Sequence, residues 1–118
     1  MKRLVSIIIP AFNAQKWIKY SIDSALNQTW RYKEVIIVDD GSTDSTLRIA
    51  QSYDARNVKV LASDNRGASS ARNLGLSVAQ GEYIQWLDAD DSLHIRKIEN
   101  QLKLAEEDLD SKNLYSGP

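Results

Sequence analysis

Short β-branched runs alternate with stretches of helical period along this whole chain, and that alternation narrows the possible folds more than any other feature. Leu4-Val5-Ser6-Ile7-Ile8-Ile9 is almost wholly apolar, as a strand covered on both faces is, and Pro10 is expected to end it. Trp17, Ile18, Ile22, Ala25 and Leu26 recur at helical spacing, which predicts a helix from about Ala14 to Gln28. Val35 to Val38 reads as a second strand. Ser42, Thr43 and Asp44 can cap a helix that runs to about Tyr53, with Leu47 and Ala50 facing inward. Val58 to Leu61 and Tyr83 to Leu87 read as further strands, separated by a helix from Ala68 to Ala79 that Gly75 weakens. Ile95, Ile98, Leu102, Ala105 and Leu109 then form one apolar stripe on a last helix. This order predicts an α/β fold of the Rossmann-like class: a mostly parallel sheet, flanking helices and right-handed crossovers.

Two of the expected strands end in carboxylates. Glu34-Val35-Ile36-Ile37-Val38 runs into Asp39-Asp40-Gly41-Ser42-Thr43-Asp44, and Tyr83-Ile84-Gln85-Trp86-Leu87 into Asp88-Ala89-Asp90-Asp91. In open α/β sheets the C-terminal strand edge is where ligands bind. Carboxylates gathered there repel unless a cation or a ligand's donors offset them, which points to a nucleotide and a divalent metal. Neighbouring strand residues face opposite ways, so Asp39 and Asp40 have different jobs. One is expected to face the cleft and accept from an imide N–H or a ribose hydroxyl. The competing reading makes both turn and cap residues. Asp88 and Asp90 are alternate residues that can share one side beside a diphosphate and hold Mg²⁺ or Mn²⁺. Such a triplet alone is ordinarily a solvated loop; a buried strand before it and a second acidic strand end upstream strengthen the metal reading.

Between the two clusters, Gly67 and the small residues after it allow backbone to approach a ligand where a helix starts. Arg72, one turn in, can reach a phosphate or the base rim; the alternative is a surface arginine. His94 is read as a helix-start residue. The three tryptophans are read as packing residues, with Trp86 near enough to the triplet to leave a sugar platform open.

Composition excludes several classes. A length of 118 residues is one domain, with 42% hydrophobic residues to build a core. With 15 basic and 16 acidic residues the net charge is −1, so nothing draws the chain to nucleic acid or anionic lipid. Zero cysteines leave oxygen ligands or His94 for any metal, and are compatible with the cytosol. The run from Leu4 to Ile9 is too short for a signal core or a membrane span.

Val5 to Asn13, Val38-Asp39-Asp40-Gly41-Ser42-Thr43-Asp44, Ala71-Arg72-Asn73-Leu74-Gly75, and Gly81-Glu82-Tyr83 with Asp88-Ala89-Asp90-Asp91 together resemble the inverting family 2 glycosyltransferases, which have the GT-A fold. The motifs stand in family order and cover about residues 4 to 100. The resemblance implies transfer of a sugar from a nucleoside-diphosphate donor, UDP-linked by expectation, to a hydroxyl of a saccharide or lipid-linked acceptor. It places Pro10 and Phe12 in the nucleotide pocket, where tyrosine is commoner than Phe12. It assigns Glu34 and Asp40 to the base or ribose, and Arg72 to the base and phosphates. Asp88 approaches ribose and metal, Asp90 ligates Mn²⁺ or Mg²⁺, and Asp91 assists at the edge.

The family's general base lies in a later motif, so no catalytic base is expected within residues 1–118. These are read as the N-terminal donor-binding part of a truncated GT-A domain. A cytoplasmic setting is expected, with peripheral membrane attachment in the full-length protein. Self-association is expected through the face where a missing half would dock. A nucleotide-binding module without catalysis is the alternative. A phospho-acceptor receiver fits poorly, because the first strand runs into Pro10 where receivers need an acidic pair.

Overall fold

The structure, a computed structural model, describes residues 3–53 and 55–107. Strands and helices alternate as β1 (Val5–Ala11), α1 (Ile18–Leu26), β2 (Lys33–Asp39), α2 (Thr46–Gln51), β3 (Val58–Ala62), α3 (Ala68–Val78), β4 (Tyr83–Trp86) and α4 (Lys97–Glu107). The four strands form one parallel sheet in the order β3-β2-β1-β4. The predicted α/β class with a parallel sheet and flanking helices is what the structure shows. The Leu109 position of the expected last helix lies outside the described residues.

β1 and β2 are apolar on both sides because both sides are covered. Ile7, Ile9, Val35 and Ile37 pack with Ile18 and Ile22 of α1 and Ile98 and Leu102 of α4. Ile8, Ile36 and Val38 pack on the opposite face with Ala71, Leu74 and Val78 of α3. Each fully buried isoleucine or leucine contributes about 1.5–3 kcal/mol from lost water contact. Gly75 lets α3 lie close to the sheet: a Cβ there would stand 2.6 Å from Ile8 Cγ2. The helix-weakening glycine is therefore a packing requirement, since a clash of that size costs more than the roughly 1 kcal/mol alanine would return.

Several details differ from expectation. Pro10 lies inside β1 instead of ending it. Ile8 O accepts from Leu87 N on the β4 side, and Ala11 O accepts from Asp40 N on the β2 side. By that alternation the Pro10 nitrogen faces β4, whose ladder has already stopped at Trp86 opposite Ile8, so no donor is missed. α1 begins only at Ile18, because residues 14–17 form a turn closed by Trp17 N and Ile18 N on Ala14 O. Ile95 is exposed, since it precedes α4 and does not join its apolar stripe.

The strand order puts the reversal of direction beside β1. The chain moves outward from β1 to β2 to β3, then returns to the other side of β1 as β4. The crevice beyond the C-terminal ends of β1 and β4 is the topological switch point of this sheet.

Candidate functional site

Four loops meet at that edge around a cleft of about 520 Å³, lined by residues 10–14, Trp17, Asp40, Asn65, the start of α3 and residues 88–90. This volume falls within the usual range for small-molecule sites. The loops after β1 and β2 are laced reciprocally. Asn13 takes a left-handed φ of 49°, tolerable for asparagine, and its Oδ1 accepts from Thr43 N at 2.8 Å. Asn13 N donates to Ser42 Oγ at 2.9 Å, and Ala14 N to Thr46 Oγ1 at 2.8 Å. Asp44 accepts from Gln15 N on one oxygen and from Thr46 N on the other. These side chains are spent on the neighbouring loop, which is why α2 starts at Thr46 and not near Ser42. Phe12 is thereby held at the cleft rim, 48% exposed, with Pro10 beside it.

Asp39 and Asp40 do diverge. Asp39 turns away from the cleft, and its Oδ2 accepts from Ser42 N at 3.2 Å. Asp40 lines the cleft and holds the loop after β3. Its Oδ1 accepts from Ser63 Oγ and Arg66 N, and its Oδ2 from Gly67 N, each at 2.8 Å. Burial opposes ionisation of Asp40, but the Ser63 hydroxyl and the backbone N–H groups of Arg66, Gly67 and Asn65 outweigh it and hold its pKa below the ordinary value. Both earlier readings of this pair are thus present in Asp40, which supports a loop and also faces the cleft.

The second acidic cluster separates in a turn just past β4, closed by Asp91 N donating to Asp88 O at 3.0 Å. Asp88 and Asp90 are exposed and line the cleft, while Ala89 between them is buried. Asp91 does not line it; its Oδ1 accepts from Ser92 N at 2.8 Å and fixes the following turn. No described ion pair engages Asp88 or Asp90. Among the described residues no three Asp, Glu or His side chains converge into a metal cage. Two cleft-facing carboxylates without a cationic partner suit a hard divalent ion that draws its remaining oxygens from phosphate and water. Arg72 lines the same cleft and offers a cation to an anionic ligand.

Glu34, expected at base or ribose, does not join them in the cleft. It stands at the start of β2, about 20 Å from Asp40 at strand rise. There it accepts from Ser6 Oγ and Gln80 N, each at 2.6 Å, and pairs with Lys59 at 3.0 Å. Burial works against its ionisation, but Ser6, Gln80 and Lys59 together lower its pKa below 4.5. A lowered carboxylate pKa adds stability that is fully present above the unfolded value and disappears as pH falls through the folded one. Glu34→Gln is therefore expected to be less stable than the native chain at about pH 7, with the gap closing below about pH 4.5. Urea unfolding midpoints across that range check it.

Sequence reasoning also missed cleft residues. Trp17, expected in the helical apolar stripe, is 50% exposed at the cleft wall because it precedes the first turn of α1. Asn65 lines the cleft with a left-handed φ of 56°, and the Asn-Arg-Gly spelling of that turn was the available signal. Trp86 is half-buried, packs against the cluster under α3 and does not line the cleft. His94 is a helix-start residue, its Nδ1 accepting from Arg96 N.

Among the described residues no helix is long and apolar enough to cross a membrane. Residues 6–112 match the family described as glycosyl transferase family 2. An uncharacterized glycosyltransferase of Rickettsia typhi, RT0329, is 42% identical over 111 residues, covering 94% of this chain and 34% of that protein. S. aureus TarS in complex with UDP-GlcNAc superposes with a TM-score of 0.81 at 31% identity, over 87% of this chain and 31% of that one. The mannosyltransferase PcManGT of Pyrobaculum calidifontis, solved with GDP-Man and Mn²⁺, gives 0.78 at 27% identity, over 87% and 32%. The chain thus spans about a third of the length of these proteins. With a GT-A sheet, a cleft at its switch point and a family match over nearly its full length, the chain belongs to glycosyl transferase family 2.

Proposed function

We propose that residues 1–118 are the donor-binding part of an inverting glycosyltransferase that uses a nucleoside-diphosphate sugar, UDP-linked in preference to GDP-linked. The observation that carries this is the opening of Asp40, Arg72, Asp88 and Asp90 on one cleft at the switch point. Pro10 and Phe12 supply apolar surface for the base, and Asp40 an ionised acceptor for its imide N–H. Arg72 supplies fixed charge for the diphosphate. Asp90, with Asp88, holds Mn²⁺ or Mg²⁺, which when bound offsets charge on the leaving diphosphate.

In the reaction an acceptor hydroxyl of a saccharide or lipid-linked acceptor attacks the anomeric carbon from the side opposite the diphosphate. The bond from that carbon to the diphosphate oxygen breaks, the configuration inverts, and the hydroxyl proton passes to a base beyond residue 118. This chain's residues hold the donor so that approach is in line, the positional share of the rate. A cytoplasmic setting, peripheral membrane attachment and self-association through the docking face belong to the same proposal.

The test is calorimetric titration of UDP and of GDP into the chain, with and without Mn²⁺. UDP is expected to bind more tightly than GDP, and Mn²⁺ to strengthen it by roughly 10-fold or more. A folded chain that binds neither nucleotide would overturn the reading.

A further inference from the structure

Residues 87–96 carry Asp88 and Asp90 but contain no strand or helix of their own. Their backbone is held from outside, by one face of α1 and the residues just past it. Ser21 Oγ donates to Asp88 O at 3.2 Å, and Leu93 N donates to Ser24 Oγ at 3.0 Å. Gln28 Nε2 donates to His94 O at 2.7 Å, and Ile98 N donates to Gln28 Oε1 at 3.2 Å. The anchors also brace one another: Ser24 Oγ donates to Ser21 O at 2.8 Å, and Gln28 Nε2 to Ser24 O at 3.2 Å. The three-residue spacing puts Ser21 and Ser24 on one side of the helix, and Gln28 follows just past its end.

Ser21 is fully buried and Gln28 is 4% exposed. Burying a primary amide and a hydroxyl in a helix–sheet interface is costly where alanine or leucine would pack without a polar requirement. What these groups achieve that apolar ones cannot is to fix the backbone of the acidic loop at several points. The same helix follows directly from Phe12, Ala14 and Trp17, which supply apolar wall to the cleft. α1 thereby connects that wall to the loop that carries the acidic residues.

We propose that Ser21, Ser24 and Gln28 are positioning residues that set the placement of Asp88 and Asp90 against that wall, and so set the affinity of the cleft for a divalent cation with a diphosphate. The proposal rests on the donor-binding reading above. Outer partners that orient metal ligands are typically worth 10–100-fold in metal affinity. Ser24→Ala and Gln28→Ala are each expected to cut the Mn²⁺-dependent gain in UDP affinity about 10-fold while leaving metal-free UDP affinity within about 2-fold. Amide hydrogen exchange is expected to quicken across residues 88–96 and not in β1 or β2. Ser24→Thr, which keeps the hydroxyl, is expected to restore both readouts; Ser24→Ala strands one part-buried donor, Leu93 N, and opens no large cavity, so the fold is expected to persist.

If Ser24→Ala and Gln28→Ala keep the full Mn²⁺ gain, the proposal falls alone. If they lose affinity equally with and without metal, the anchors act on the whole cleft and the proposal also falls. A native chain with no Mn²⁺ gain would overturn the donor-binding reading, and the positioning role with it.

Discussion

Asp90→Ala is expected to abolish the strengthening of UDP binding by Mn²⁺ and to leave metal-free binding nearly unchanged. Asp90 is exposed on the cleft and makes no described ion pair, so its removal leaves no buried partner stranded and no cavity. Fold stability should therefore stay within about 0.5 kcal/mol of the native chain. The effect on the cation should be large. Indirect partners of metal ligands are worth 10–100-fold, so removing one of only two carboxylates is expected to cost at least about 100-fold in Mn²⁺ affinity. UDP titrations at matched Mn²⁺, with thermal unfolding of the same samples, separate the two quantities. A variant that retains the Mn²⁺ gain would remove Asp90 from the metal site.

Asp40→Ala is expected to do the reverse, weakening nucleotide binding with and without metal and destabilising the fold as well. Its carboxylate accepts from the Ser63 hydroxyl and from the backbone N–H groups of Arg66 and Gly67. Truncation leaves those donors without their acceptor. At about 1–3 kcal/mol for each buried group left unmade, roughly 2–5 kcal/mol of stability should be lost. The loop that carries Asn65 and leads into α3 should loosen, taking Arg72 with it. UDP affinity is expected to fall by at least about 10-fold, a loss of roughly 1.4 kcal/mol or more. Asp40→Asn keeps the shape and one oxygen, so its stability should lie between the two. A folded Asp40→Ala that binds UDP as tightly as the native chain would remove Asp40 from the base contact.

Most of the fold was legible because both periods are strong. Ile7 to Ile9 and Val35 to Val38 leave no place for a surface strand, and the Ile18, Ile22, Ala25 stripe fits only a helix. Cleft residues that follow a strand end, such as Asp40, Asp88 and Asp90, were legible because the C-terminal edge of a parallel sheet is where such a cleft opens. The misreadings occurred where spacing carries no information about reach. Glu34 has the composition of a site residue, but it stands at the wrong end of β2 and its partners come from β1, β3 and the turn before β4. Trp17 fits the helical stripe by count, yet the residues before Ile18 form a turn and the indole swings to the cleft. The serines of α1 and Gln28 just past it looked neutral in sequence, since such residues acquire a role only when a distant loop arrives to bond them.

The Ser6–Glu34 contact has a consequence for how the sheet finds its alignment. Ile7-Ile8-Ile9 and Ile36-Ile37 are apolar on both faces, so sliding β2 by one residue against β1 would still bury hydrocarbon everywhere. Hydrophobic pattern, which normally forbids such a slip, is silent here. A buried carboxylate that must meet a hydroxyl, a backbone N–H and a lysine is not silent, because a slip would turn Glu34 to the other face and strand its charge. The same slip would exchange Asp39 for Asp40 at the cleft. A residue about 20 Å from Asp40 thus decides which of two adjacent aspartates faces the cleft.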